Sequence, residues 1–391
     1  MLSRPRGVRL RLMALVLLSG ALAAACGGGG GGRQRRPASP SPTPTTTPCS
    51  NSTVLSKWST DQLAQQVVAV PVQETDLAAV QSEVDQGVGG ILLFGSAAPA
   101  DLGTQLRTLE AGAPSGIAPL VMTDEEGGGV QRMANLVGSM PWARDMASSM
   151  TPAQIQALAQ SVGQAMLQQG VTMDLAPVLD LDDGVGPNAQ DPDGARSFSL
   201  NPQATTSDGL AFARGLLAAG VLPVVKHFPG LGQSSGNTDD APAHTLPYSE
   251  LEQAGLVPFE AAIKAGLPAV MVANASVPGL TTSPASLSSA AIQGLLVGRL
   301  HFKGLILTDS LSAGAISALG LSVAQATVQA ISAGADMVMF GSGNPAAVTA
   351  AIDSAVSGAV AQGQLPLARL VQAAAMVLAA KRVDLCSSGA G

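Results

Sequence analysis

Val224-Val225-Lys226-His227-Phe228-Pro229-Gly230 is an apolar, β-branched run that stops in two hydrogen-bond donors and a Pro-Gly turn. Such a run is expected to be a buried strand carrying an ammonium and an imidazole to its own C-terminal end, where ligands bind in parallel α/β proteins. The construction recurs in Gly304-Leu-Ile-Leu-Thr-Asp309-Ser310 and in Pro119-Leu-Val-Met-Thr-Asp124-Glu125-Glu126. From residue 54 onward, apolar runs of strand length alternate with stretches of helical period. Expected strands cover residues 67–72, 90–94, 120–123, 173–179, 223–227, 269–273, 304–308 and 337–340. Expected helices include 151–169, 251–265, 290–300, 321–333 and 367–381, the first opened by Thr151 as N-cap and Pro152 at its first position. Strands that are apolar throughout, rather than alternating, belong to a parallel sheet covered on both faces. Eight of them in a single-domain length favour an α/β fold of the closed (β/α)8 TIM type over an open doubly wound sheet. Polar residues after separate strands (Asp124, Asp180, Lys226, Asn274, Asp309) agree, since an open sheet would gather them at one switch point.

The 391 residues suffice for a sizeable core, and 46% are apolar, mostly Ala, Val and Leu. A net charge of −7 with no basic stripe in the folded region argues against a nucleic-acid partner. Aromatics make up only 3%, too few for the stacking platforms of a long polysaccharide groove, so a compact pocket read by hydrogen bonds fits better. Gly230-Leu-Gly232 followed by Gly236 lacks the dinucleotide spacing, which excludes a nicotinamide reading. His227, His244 and His301 are scattered without ligand spacing, so no metal is expected.

Arg4, Arg6, Arg9 and Arg11 precede an apolar stretch over residues 12–25 that is too short to span a membrane as a mature helix. It ends in Leu22-Ala23-Ala24-Ala25-Cys26, which resembles a bacterial lipobox. The expectation is a signal peptide over residues 1–25 and a lipidated Cys26. A Gly-, Pro-, Ser- and Thr-rich tether over 26–53 and a barrel over 54–386 would follow. The barrel would then stand outside the cytoplasmic membrane, touching it only through the lipid anchor. In that oxidising setting Cys49 and Cys386, at the two ends of the domain, are candidates for a disulfide or for two free thiols.

Asp309, at a strand end, reads as a nucleophile at a barrel mouth or as the cap of the next helix. Lys226 and His227 read as hydroxyl-binding groups or as members of a structural ion pair. Asp124 to Arg132 packs carboxylates, three glycines and a cation into a turn that can approach a ligand closely.

Asp124-Glu-Glu-Gly-Gly-Gly-Val-Gln-Arg132, Leu175-Ala-Pro-Val-Leu-Asp180, Arg196-Ser-Phe198, Lys226-His-Phe-Pro-Gly230 and Thr308-Asp-Ser-Leu311 occur together in one order. In this they resemble the β-N-acetylglucosaminidase branch of glycoside hydrolase family 3. The resemblance implies a βα barrel, a retaining mechanism with Asp309 as nucleophile, and a first sugar subsite formed by Asp124, Arg132, Arg196, Lys226 and His227. Three departures stand out. Leu231 replaces a histidine, and Gly129 replaces an arginine. The histidine of the family's Asp-x-His dyad falls on Asp239, in Asn237-Thr238-Asp239. Asp239 could serve as acid/base if its pKa were raised. His244, the nearest imidazole, would need the loop rearranged. Other branches of the family take their acid from a second domain, so here it is expected from the barrel loops.

The expected activity is removal of terminal β-linked N-acetylglucosamine from peptidoglycan fragments, an amino-sugar or muropeptide substrate. No cofactor is implied, and the enzyme is expected to act as a monomer. Alternatives on the same residues are a phosphorylase, a sugar-binding lipoprotein that has lost its acid, and a structural envelope lipoprotein.

Overall fold

The computed structural model describes residues 49–387. The signal peptide over 1–25, Cys26 and most of the tether lie outside the described residues. No helix among the described residues is long and apolar enough to cross a membrane.

Among the described residues ten strands form, in chain order β1 (Val68–Gln73), β2 (Gly90–Phe94), β3 (Leu120–Thr123), β4 (Glu125–Gly127), β5 (Val130–Gln131), β6 (Met173–Asp174), β7 (Leu222–Phe228), β8 (Ala269–Val272), β9 (Leu305–Ser310) and β10 (Met337–Met339). Eight of them close into a parallel barrel in the order β1-β10-β9-β8-β7-β6-β3-β2, while β4 and β5 make a separate hairpin. The expected barrel is the observed one.

Side-chain alternation explains why the strands are apolar on both faces. Ala69, Leu92, Met122, Met173, Val224, Met271, Leu305, Leu307 and Met337 share one buried cluster inside the barrel. Their neighbours Val68, Val70, Ile91, Val121, Val225, Val270, Ile306 and Val338 point the other way, into the larger core beneath the helices. Val377, from the helix Leu367–Ala380, joins the inner cluster, and Lys381 just beyond it bonds Gln66, the second residue before β1, at 3.1 Å. That helix therefore closes the N-terminal end of the barrel and leaves the C-terminal end open.

Two elements differ from expectation. The strand expected over 173–179 stops at Asp174, because Pro177 has no N–H to add to the ladder. Leu179 still bonds its N–H to the Lys226 carbonyl at 2.7 Å, which keeps Asp180 at the barrel's open end. The helix expected over 251–265 is shortened to Val257–Lys264, with Pro258 in its first turn. Elsewhere local chemistry acts as read: Thr151 and Gln154 form a capping box at the start of the helix Pro152–Gln168, with Pro152 first.

The described residues open with the short helix Asn51–Leu55, capped by Ser50. Asn51 ties the two ends of the described residues together, donating to the Val383 carbonyl and accepting from the Leu385 N–H, each at 2.8 Å. Beside it Cys49 and Cys386 are joined in a disulfide across 337 residues of sequence. Closing so long a loop restricts the unfolded chain, so Cys49→Ser with Cys386→Ser should lower the unfolding free energy by about 2–4 kcal/mol. Denaturant titration with and without reductant measures it, and turnover should not change because the pair sits far from the open end.

Candidate active site

At the open end lies a cavity of about 700 Å³, a size typical of small-ligand sites. Leu92, Met271 and Met339 form an apolar base, and Asp124, Glu126, Arg132, Arg196, Lys226, His227, Asp239 and Asp309 supply charge and hydrogen bonds. Every expected sugar-binding residue and the expected nucleophile therefore meet in one cavity. Their elements are β9 for Asp309, β7 for Lys226 and His227, the turn Gly194–Arg196 for Arg196, and the β3–β5 segment for Asp124 and Arg132.

The acidic run after β3 divides its labour by alternation along β4. Glu125 is fully buried and braces the hairpin: its carboxylate accepts from the Arg132 and Met133 N–H groups, each at 2.7 Å, and from Gln131 at 2.8 Å. Burial pushes its pKa up. Glu126 faces the cavity and takes a two-pronged bond from Arg196, Nε and Nη2 each at 2.8 Å, with Lys226 Nζ at 2.6 Å. Burial works against that carboxylate, but the two cations hold its pKa well below the ordinary glutamate value. Asp124 accepts from Lys226 at 2.7 Å and lies 3.7 Å from Arg132, whose guanidinium stacks over Phe94 at 5.7 Å from the ring centroid. Burial also opposes the Lys226 ammonium, yet Asp124 and Glu126 more than offset it and raise its pKa. Lys226 is thus ion-paired, and the same ammonium lines the cavity.

This network makes a stability prediction. Lys226→Met leaves two carboxylates facing one another across the lost cation. At neutral pH the variant should lose about 3–5 kcal/mol of unfolding free energy. Chemical denaturation measures the loss, which should shrink in acid as the stranded carboxylates take up protons.

The hairpin turns where only glycine fits. Gly128 has φ +57°, and a Cβ there would sit 2.0 Å from Trp142 Cδ2. At Gly129, where the resemblance leads one to expect arginine, a Cβ would lie 2.9 Å from the same indole. Trp142 covers that corner of the hairpin.

Asp180 was legible as a polar strand end and as the close of the Leu175–Asp180 motif, with no role assigned, yet it is what orients His227. One of its oxygens accepts from the His227 backbone N–H at 3.0 Å and meets the imidazole Nδ1 at 2.7 Å, while the other accepts from Leu231 N at 2.6 Å. Burial pushes the Asp180 carboxyl up to about 7, and burial, with Arg196 beside it, brings the His227 imidazole down to about 4. Asp193, which sequence reasoning missed, completes a buried group with them: ligand-type atoms of Asp180, Asp193 and His227 lie within 4.8 Å of one another. It is the group of described residues whose atoms come closest to a metal-binding arrangement. Arg196, 3.6 Å from Asp193, and Lys226 both set positive charge against a cation there.

Asp309 is half-buried, and one of its oxygens accepts from Ser310 N at 2.7 Å. Asn274 steadies the strand end by donating to the Ser310 carbonyl at 2.7 Å and accepting from Ser286 at 2.6 Å. Burial raises the Asp309 pKa, with His227 opposing and Asp239 adding to the rise. Asp239 reaches the cavity wall with an exposed face, and burial of its remainder raises its pKa although Arg196 opposes. Its loop is fastened to the loop after β9: Gly314 N donates to the Asp239 carbonyl at 2.8 Å and Ala315 N to the Thr238 carbonyl at 2.9 Å. The contact needs glycine, since a Cβ on Gly314 would lie 2.3 Å from the Asp240 carbonyl oxygen. His244 is not brought to the cavity. It is exposed, its Nδ1 faces the Thr245 carbonyl at 3.0 Å, and its backbone pairs with Ser276. Leu231, in place of the expected histidine, is buried with Ala273 and Ala275 and adds an apolar edge.

The chain is similar to known proteins. Residues 59–380 match the glycosyl hydrolase family 3 N terminal domain. The β-hexosaminidase LpqI of Mycobacterium tuberculosis is 37% identical over 288 residues, covering 72% of each chain. A β-hexosaminidase of Stenotrophomonas maltophilia is 32% identical over 284 residues, 70% of this chain and 82% of that one. Among solved structures, a family 3 glycosyl hydrolase from Mycobacterium smegmatis superposes with a TM-score of 0.75 at 37% identity, over 83% of this chain and 98% of the other. The chain therefore belongs to glycosyl hydrolase family 3.

Proposed function

We propose that the protein is a retaining exo-β-N-acetylglucosaminidase that removes terminal N-acetylglucosamine from peptidoglycan fragments outside the cytoplasmic membrane, held there by a lipid on Cys26. The coarser statement needs no proposal: it is a glycoside hydrolase of the β-hexosaminidase type, as its relatives are. The observation that carries the finer reading is the meeting of Asp309 with Asp124, Arg132, Arg196, Lys226 and His227 in one small cavity. A cavity of this size, rather than an open cleft, suits the end of a chain.

In this reading the cations and His227 bind the ring hydroxyls and the N-acetyl group. Asp309 attacks the anomeric carbon as the glycosidic bond breaks, and Asp239 gives its proton to the leaving oxygen. Water, deprotonated by Asp239, then opens the glycosyl ester and regenerates Asp309. Two carboxylates with separate roles need separate protonation states, and the raised pKa of Asp239 suits the acid.

The test is to incubate the enzyme with a reduced N-acetylglucosaminyl-muropeptide and with matched glucosides, in phosphate and in phosphate-free buffer. Free N-acetylglucosamine in both buffers, with no sugar phosphate, is the expected result. Release of glucose instead, or turnover that requires phosphate, would overturn the proposal. Cys26→Ser should release the protein from membranes, which fractionation measures.

A further inference from the structure

The turn behind His227 holds a carboxylate that the mechanism above does not use. Asp193 is fully buried, and neither of its oxygens has a hydrogen-bond partner among the described residues. Its neighbours in the same loop are spent on holding the backbone. Asp182 accepts from Gly184 N at 2.6 Å and Gln233 N at 3.0 Å, and Asp191 from Gly186 N at 2.9 Å and Gly194 N at 2.8 Å. Arg144 pins the loop from the other side through the Asp182, Gly184 and Gly194 carbonyls. The turn is therefore built without the Asp193 side chain. A buried carboxylate that accepts no hydrogen bond, with only the Arg196 guanidinium at 3.6 Å, is costly to keep, and holding the turn does not require it.

We propose that Asp193 is a positioning residue that keeps one extra proton on the Asp180–His227 pair, so that His227 presents an Nε2–H donor to the substrate at neutral pH. This rests on the reading of His227 as a sugar-binding group. The pair has two relevant states. With the extra proton, Nε2 carries hydrogen whether the shared proton sits on Asp180 or on Nδ1. Without it, Nδ1–H stays bonded to the Asp180 carboxylate and Nε2 becomes a bare acceptor. One proton thus decides whether the imidazole donates to a sugar oxygen or accepts from a hydroxyl.

The charges around the pair come from three elements. Lys226 lies on the same strand and Arg196 on the turn, and both favour losing the proton. Asp193 on that turn and Asp309 on β9 favour keeping it. Asp193 itself faces Asp180, Arg196, His227 and Asp182. Burial, then Asp180, push the Asp193 carboxyl up to about 7, the same range to which burial takes Asp180.

The chain has three histidines, so protein labelled with 15N-histidine gives a spectrum in which His227→Asn identifies the His227 signals. In the ligand-free wild type, Nε2 should be protonated at pH 6 and lose its proton on going to pH 9. Asp193→Asn should lower that midpoint by about one unit, and Asp193→Glu should restore part of it. An unchanged midpoint in Asp193→Asn, or a bare Nε2 in the wild type at pH 6, overturns the proposal. Should the asparagine variant not fold, wild-type protein labelled at aspartate 13Cγ serves instead: ionisation of Asp193 has to shift the His227 signals, and silence there overturns the proposal as well. Steady-state kinetics of His227→Asn separate the premise. Unchanged KM and kcat would remove His227 from sugar binding while leaving the titration result standing.

Discussion

Asp309→Asn is expected to lower kcat on an aryl N-acetylglucosaminide by about four orders of magnitude or more, with the fold intact. An amide has nearly the same shape as the carboxylate, but it carries no charge to oppose the developing oxocarbenium ion and makes no stable ester with C1. Stability should move the other way. Burial raises the Asp309 pKa above the ordinary aspartate value, so its contribution is fully present below that value and is lost as pH rises through the raised one. At neutral pH the ionised side chain therefore costs stability, and the asparagine variant should melt at or above the wild-type temperature, with the gap narrowing in acid. Asp309→Gly with added azide supplies the remaining proof. Azide attacks C1 from the vacated face as the aryl oxide leaves, and the product is the α-glycosyl azide. If Asp309→Asn keeps a tenth of wild-type kcat, or if azide gives only the β-anomer, Asp309 is not the nucleophile.

The loss of stability at Asp309 fits the rest of the cavity, where ionised groups are held against burial by one another. Glu126 and Lys226 are each almost fully buried, and each is charged because the other, with Arg196 and Asp124, is placed beside it. Such a set cannot be altered one residue at a time without leaving a charge unpaired. That is why Lys226→Met is expected to cost stability while Asp309→Asn is not.

What the sequence disclosed follows from where its signals are periodic. Strands such as β7 and β9 are uninterrupted apolar runs ending in charge, and this pattern located the barrel, its open end, and Lys226, His227 and Asp309 together. Pro177 limited the reading of β6, since an apolar run does not reveal where a missing N–H ends a ladder. The split between Glu125 and Glu126 was in principle readable from the two-residue period of a strand, but β4 is too short to advertise it. Asp193 left no signal: in a loop rich in Asp and Gly, a carboxylate that holds a turn and one that faces an imidazole look alike. The Asp239 loop was hardest, because its position depends on backbone bonds to Gly314 and Ala315, far away in sequence. Spacing alone therefore left Asp239 and His244 as rivals, and the fold brings Asp239 to the cavity wall.

That placement leads to the second large effect. Asp239→Asn should lower kcat/KM on an N-acetylglucosaminyl-muropeptide by about 10²–10⁴, and by far less on a dinitrophenyl glycoside, whose leaving group needs no proton. On the activated substrate the ester at Asp309 should accumulate, because hydrolysis lacks its base, so KM should fall with kcat and a burst should appear. His244→Ala should change neither substrate. A carboxylate can act first as acid and then as base only if its pKa moves during the cycle, and the cavity supplies the means. Repulsion between two carboxylates is mutual, and the Asp239 charge already acts on Asp309. While Asp309 is ionised, that repulsion adds to burial and to Asp240 in keeping the Asp239 proton in place for the leaving oxygen. Once Asp309 is esterified its charge is gone, Asp239 ionises more readily, and it is ready to take a proton from water. The alkaline limb of kcat/KM on the muropeptide should therefore vanish in Asp239→Asn. A limb that persists there, or equal losses on the two substrates, would mean that the proton comes from elsewhere.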